Sequence, residues 1–223
     1  MLVSHLCRFI YLKTIKTGGT SVEIYFEPWC VPPAKWRGEQ HARAESVSEW
    51  GIVGARGSGD GFVRSECVWF NHMPAAEVRE KVGPVVWNSY FKFCVVRDPY
   101  DKIVSQFWYH LSPTVRDHLA HAGFAEVRRA FNDWLPTGRL PSDRHIYTID
   151  GNIAVDEVIR YERMQPDLKQ ICRRLRLPWQ PHRLGNYKGG FRPRREPAIE
   201  YYDERSRNIA GSCFSWEIAQ FGY

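Results

Sequence analysis

The chain contains no run of about 18 consecutive apolar residues, so no segment of it is suited to cross a bilayer as a helix. It has six cysteines, at positions 7, 30, 67, 94, 172 and 213, but no Cys-x-x-Cys pair and no cysteine clustered with histidine at metal-ligand spacing. That leaves no zinc or redox-motif signature, and the cysteines read as reduced, mostly buried thiols; their even number keeps disulfides open for a secreted protein. Internal repeats and low-complexity tracts are absent too, which excludes solenoids and arrays. A further absence is the Walker A pattern: no Gly, four residues, Gly-Lys and Ser or Thr occurs. An ordinary nucleoside triphosphatase is therefore disfavoured. The opening Met-Leu-Val-Ser-His-Leu-Cys-Arg is too short and too quickly charged for a signal peptide.

What is present suits a globular α/β protein. With 223 residues, 43% of them hydrophobic, the chain can bury a core, and the expectation is a single domain over 1–223. Phe9 to Leu12, Phe91 to Val96 and Ala154 to Tyr161 read as strands. Helices are expected from about Thr20, over Ala75 to Val82, 100 to 111 and 121 to 134, from Met164 to Leu175, and from Glu196 to Phe214. Residues 28 to 70 carry Pro, Gly, Trp and charge without sustained periodicity and read as an irregular, acceptor-side region. Strands alternating with helices predict a central parallel sheet flanked by helices, a three-layer fold with ligands at the carboxyl ends of the strands.

The net charge of +6, from 31 basic against 25 acidic residues, favours anionic partners. Nucleic acid is not the expected one. Arg173, Arg174, Arg176, Arg192, Arg194 and Arg195 form local clusters without interleaved aromatics, and the first three also fit a solvated helix face.

Two segments carry chemistry. In the first, the apolar Phe9-Ile10-Tyr11-Leu12 runs into Lys16-Thr17-Gly18-Gly19-Thr20-Ser21. Glycines permit a turn in which successive amides converge on one anion, and Thr20-x-x-Glu23 fits a capping box that would aim a helix N-terminus at it. A plain surface turn with a capped helix is the alternative. In the second, the strand Phe91 to Val96 is followed by Arg97-Asp98-Pro99-Tyr100-Asp101 and, two turns into a helix, by Ser105. A guanidinium fork with a hydroxyl suits a phosphate dianion, whereas a pair of Arg97 with Asp98 or Asp101 is the structural alternative.

Together these motifs resemble the sulfotransferase family, in particular its carbohydrate sulfotransferase branch. The first is similar to the family's 5′-phosphosulfate loop, with Ile15 where proline is common; the second is similar to its 3′-phosphate motif. The likeness continues through Asn71-His72-Met73-Pro74-Ala75, Trp87 to Phe93, Tyr161-Glu162 and Phe221-Gly222-Tyr223. It implies a fold resembling P-loop nucleotide-binding proteins and transfer of a sulfuryl group from 3′-phosphoadenosine-5′-phosphosulfate to a hydroxyl or amine, without a metal, leaving 3′,5′-adenosine bisphosphate. It further implies Lys16 at the departing phosphate oxygen and Thr17, Gly18, Gly19, Thr20 and Ser21 around the 5′-phosphate. Arg97 and Ser105 would hold the 3′-phosphate, with Lys188 and Arg192 of a late basic glycine loop as further contacts.

Attack by a hydroxyl calls for a base, and histidine titrates in the right range. His72 is the first candidate, with a helix-capping histidine as the alternative reading; His41 and Glu23 follow. The acceptor is expected to be carbohydrate on resemblance alone. The expected setting is the cytoplasm, or the Golgi for a catalytic domain separated from its anchor. A kinase-like phosphoryl transferase and a non-catalytic anion- or nucleic-acid-binding module are the competing readings.

Overall fold

The computed structural model describes residues 1–36, 38, 42–57, 66–187 and 189–223. They group into two compact units, Met1–Val96 with Asp143–Tyr187, and Arg97–Ser142 with Lys188–Tyr223. Each is described by itself.

The first unit is built on a six-stranded mixed sheet. Strands β1 (Leu2–Ser4), β2 (Phe9–Leu12), β3 (Ser46–Ser48), β4 (Gly51–Val53) and β5 (Phe91–Val96) lie in it, together with β8 (Glu157–Arg160), in the order β3-β4-β1-β2-β5-β8. A separate two-stranded ribbon joins β6 (Thr148–Ile149) to β7 (Asn152–Ile153). The expected parallel arrangement holds for β2, β5 and β8, with Tyr11 opposite Phe93 and Cys94 opposite Val158. The expectation of a wholly parallel sheet is corrected by β1, β3 and β4, which add on antiparallel. Those three strands have only three residues each, too few to register as alternation, and two of them, β3 and β4, lie in the region 28 to 70 that reads as irregular.

Helices α1 (Gly19–Phe26) and α6 (Met164–Arg174) pack on this sheet, and α2 (Ala75–Ser89) belongs to the same unit. Every residue of α1 is buried, and Phe26 meets Phe9 and Phe93 edge-on at 5.5 and 5.2 Å. Helix α6 buries Leu168, Ile171 and Cys172, a three-four spacing that faces the same core. Gly83, at φ 77° and ψ 163°, divides α2 in two, and Pro84 opens the second half with the fixed φ suited to a helix start. The expected helix over Ala75 to Val82 is the first half.

The second unit is helical: α3 (Pro99–His110), α4 (Pro113–His121), α5 (Phe124–Trp134), α7 (Glu204–Cys213) and α8 (Ser215–Phe221). Ile103, Val104, Phe107 and Trp108 form the inner stripe of α3 and pack with Val127, Phe131, Tyr201, Tyr202 and Phe214. The expected helix over 121 to 134 is α5, which begins at Phe124, and α4 is a helix the pattern did not indicate. Helix α4 buries only Leu119, so it has almost no apolar face to detect. The expected helix over 196 to 214 is interrupted as well. Asp203 accepts from the Ser206 amide at 2.7 Å and starts α7 with a capping box, after a 3₁₀ turn at Ala198–Tyr201.

All six cysteines are free, and among the described residues no helix is long and apolar enough to cross a membrane.

Candidate functional site

In the first unit the chain leaves β2 at Leu12 and reaches α1 at Gly19 through six residues. The Thr14 hydroxyl donates to the Val95 carbonyl near the carboxyl end of β5, and lies 2.7 Å from the Thr17 hydroxyl. The Ile15 amide donates to Asp143 Oδ2 at 2.8 Å, and Asp143 is 1% exposed. A proline at position 15, having no N–H, could not make this bond.

Gly18 caps α1 at φ 69°, and a Cβ there would come within 2.9 Å of Met164 Cε and 3.2 Å of the Tyr161 ring. The dihedral favours glycine, whereas the Met164 methyl at the end of a flexible side chain could move aside. The helix therefore begins at Gly19, one residue before the expected start. Among the described residues the amides of Gly19 and Thr20 have no hydrogen-bond acceptor, while Ser21 N–H donates to Gly18 O at 2.9 Å. Unpartnered amides at a helix start carry its positive dipole end. Ser21 Oγ accepts from the Tyr187 amide at 3.3 Å, which leaves its hydroxyl proton to donate. Lys16 is half-buried, with φ 58°. This is a left-handed conformation that a lysine adopts only when its surroundings fix it.

Glu23 does not cap the helix, and the capping-box reading is corrected. Its side chain is fully buried, with Oε2 2.6 Å from Lys13 Nζ and 2.9 Å from an Arg56 Nη1, and Oε1 3.5 Å from the Met1 amino nitrogen. Burial pushes the carboxyl up, but the surrounding cations, Lys13 foremost, outweigh it and hold Glu23 well below the usual carboxylate range. Its oxygens are fully buried and engaged by the nitrogens of Lys13, Arg56 and Met1, so its placement speaks against Glu23 as the base. The same pairing engages the Lys13 ammonium with Glu23.

His72 does not cap α2 either; the N-cap is Pro74 and no side chain caps it. Its Nδ1 lies 2.9 Å from the Lys13 carbonyl. Because a carbonyl only accepts, Nδ1–H is the donor, and the lone pair of the neutral ring is on Nε2. Burial, and after it the Lys13 ammonium, pushes the pKa of His72 down to about 3. The structure thus ties the first base candidate to the residue that enters the glycine loop. His41 lies outside the described residues.

The remaining expected site residues belong to the second unit. Asp98 caps α3 by accepting from the Tyr100 amide at 2.8 Å, and Pro99 occupies the first helical position as expected. Arg97, 9% exposed in its side chain, donates through Nε to Asp101 Oδ2 at 2.7 Å, with Nη2 at 2.6 Å from the same oxygen. Arg192 reaches Asp101 Oδ1 through Nη1 at 2.5 Å and the Glu196 carbonyl through Nη2 at 2.6 Å. Its Nε is buried with no hydrogen-bond partner. Ser105 is half-buried, one turn beyond Asp101 on α3. Arg97 and Arg192 thus meet on Asp101, with Ser105 one turn further along the same helix. Lys188 lies outside the described residues. Among them no group of three or more His, Cys, Asp or Glu side chains could hold a metal ion.

No protein-family model matches this chain, and no solved structure matches it. It is 26% identical over 106 residues to an uncharacterized protein of Archaeoglobus fulgidus, a match covering 48% of this chain and 84% of that protein.

Proposed function

We propose that this protein is a sulfotransferase that moves a sulfuryl group from 3′-phosphoadenosine-5′-phosphosulfate to a hydroxyl acceptor, with carbohydrate the first class to try. The observation that carries the reading is the loop between β2 and α1, where the unpartnered amides of Gly19 and Thr20 lie at a helix start beside Lys16. Backbone donors in this arrangement suit a phosphate. The lysine before the glycines, in place of a Walker lysine after them, fits a donor whose departing oxygen gains charge without a magnesium ion to share it.

The acceptor oxygen attacks sulfur as the bond from sulfur to the bridging phosphate oxygen breaks. The bond's electron pair leaves on the phosphate, and the acceptor's proton passes to a base. Lys16 offsets the charge gathering on the leaving oxygen, and the loop amides with Ser21 hold the 5′-phosphate in line. Arg97 and Ser105 are assigned to the 3′-phosphate. His72 Nε2 receives the acceptor proton.

Two measurements test this. Addition of 3′,5′-adenosine bisphosphate should raise the melting temperature, by mass action on the folded state, and labelled sulfate should pass from the donor to at least one member of a panel of hydroxyl acceptors. A magnesium-dependent response to nucleoside triphosphate, with none to the bisphosphate, would replace the reading with a phosphoryl transferase.

The histidine supplies its own prediction. In the free protein His72 is neutral from about pH 5 upward, because its pKa is about 3. The pH profile of kcat/KM, which reports the free enzyme, should therefore show no acidic limb from this residue between about pH 5 and pH 7. Bound anionic donor favours the charged ring, so the limb belongs in the kcat profile of the loaded enzyme. His72→Ala should lower kcat by about 10²- to 10⁴-fold and abolish that limb. An unchanged kcat in the variant would move the base elsewhere, with His41 next to be tried.

A further inference from the structure

The turn between β2 and α1 draws one of its fixed points from far along the chain. Asp143, 128 positions after Ile15, is 1% exposed and accepts from the Ile15 amide on Oδ2 at 2.8 Å. It stands on a firm base. Its own carbonyl accepts from the Ile146 amide at 2.9 Å in the 3₁₀ turn Arg144–Ile146, and Ile146, Tyr147 and Thr148 are buried. The bond to Ile15 falls beside the strained point of the loop. Thr14 is clamped through its hydroxyl on the Val95 carbonyl, Ile15 through Asp143, and the next residue, Lys16, has φ 58°. The lysine Cβ crowds the following carbonyl in this conformation, and such strain persists only where the surroundings fix the backbone. Gly18 needs no comparable support, because glycine adopts its φ of 69° without a Cβ to crowd. The cation of the loop and the helix start at Gly19 are therefore set by separate means.

We infer that Asp143 is a positioning residue for Lys16. By holding the Ile15 amide it keeps the next residue in its left-handed conformation, and so fixes the direction in which the Lys16 side chain leaves the backbone. The inference rests on the reading of Lys16 as the cation at the departing phosphate oxygen, and adds to it the residue that aims that cation. A carboxylate that only satisfied a buried amide would stabilise the loop without acting through Lys16.

The test is a double-mutant cycle on the whole chain, read as turnover of labelled donor, with calorimetric titration of 3′,5′-adenosine bisphosphate beside it. Asp143→Ala should lower kcat by about 10- to 100-fold, the order expected for a misplaced catalytic group, and leave affinity for the bisphosphate nearly unchanged. Asp143→Asn, whose side-chain carbonyl can still accept from Ile15, should recover most of the loss. In a Lys16→Ala background the same Asp143→Ala change should lower kcat by less than about twofold, because no ammonium is left to aim. If Asp143→Ala does not fold, Asp143→Leu removes the acceptor while filling the space, and carries the same expectations. Equal losses in the two backgrounds, an unchanged kcat, a loss that Asp143→Asn does not recover, or bisphosphate affinity lost in step with kcat each overturn the aiming role and leave the nucleotide reading standing. A wild-type protein that moves no sulfuryl group to any acceptor of the panel overturns the sulfotransferase reading, and the role of Asp143 with it.

Discussion

Lys16→Ala should retain the fold and lose sulfuryl transfer by about 10²- to 10³-fold in kcat, the usual cost of removing one preorganised group from developing negative charge. The fold should survive because the loop is held by other residues. Thr14 bonds to Val95, Ile15 to Asp143, and Gly18 caps α1. Alanine at φ 58° inherits the same backbone strain that lysine bears, so the substitution changes the charge and leaves the conformational cost nearly constant. The check is a pair of measurements on one preparation: the melting temperature, expected to shift by a few degrees at most, and the turnover of labelled donor. Lys16→Arg is the sharper control. It keeps a cation but replaces a compact ammonium with a broad fork, and should fall between wild type and alanine. Wild-type turnover in Lys16→Ala would remove Lys16 from the mechanism, and Lys13 could not take its place while paired to Glu23 at 2.6 Å.

Much of the first unit can be read in the residues. Phe9 to Leu12 and Phe91 to Val96 are strands with the expected limits, because four and six consecutive apolar or amphipathic residues flanked by turn formers have few other uses. Gly18 marks the loop because its left-handed φ of 69° favours glycine. The antiparallel strands β3 and β4 escape notice for the opposite reason. At three residues each they are specified by their neighbours on the sheet, since Val3 pairs with both Ile10 and Ile52. Local pattern carries no record of such long-range pairing.

The site divides along the same line. Residues that act through backbone geometry, such as Gly18, leave a motif. Residues that act through a distant partner do not: nothing near Lys13 in sequence announces that its carbonyl will receive His72, 59 positions away, or that its ammonium will face Arg56 across Glu23. Local pattern offers Glu23 only the helix cap, whereas its partners Lys13, Arg56 and Met1 lie outside the helix. Asp101 was missed in a similar way. As one half of an i,i+4 pair with Arg97 it resembles any helix-surface salt bridge, and only Arg192, 91 residues away, makes it a hub.

Glu23→Gln should be the most destabilising single substitution near the loop, costing about 3–5 kcal/mol. Glutamine has nearly the same shape, so the loss is electrostatic: Lys13 and Arg56, 4% and 5% exposed in their side chains, would share a buried site with no anion between them. Set against a total stability of about 5–15 kcal/mol for a typical domain, this is enough to depress the denaturation midpoint severely. Chemical denaturation at neutral pH measures it, and a change below about 1 kcal/mol would mean that solvent reaches these charges. The pH dependence gives an independent sign. The folded-state pKa of Glu23 is depressed, so its stabilisation is fully present above the ordinary glutamate value of 4.5 and is lost progressively as pH falls below it, because the unfolded chain takes up the proton first. Wild-type stability should therefore decline more steeply on acidification than that of Glu23→Gln. Replacing Lys13 with methionine in the Glu23→Gln background removes one of the two stranded cations and should restore part of the lost stability, a coupling that additive effects would not produce. Because His72 is bound by the Lys13 backbone carbonyl and not by its ammonium, the double variant should keep His72 anchored while relieving the charge.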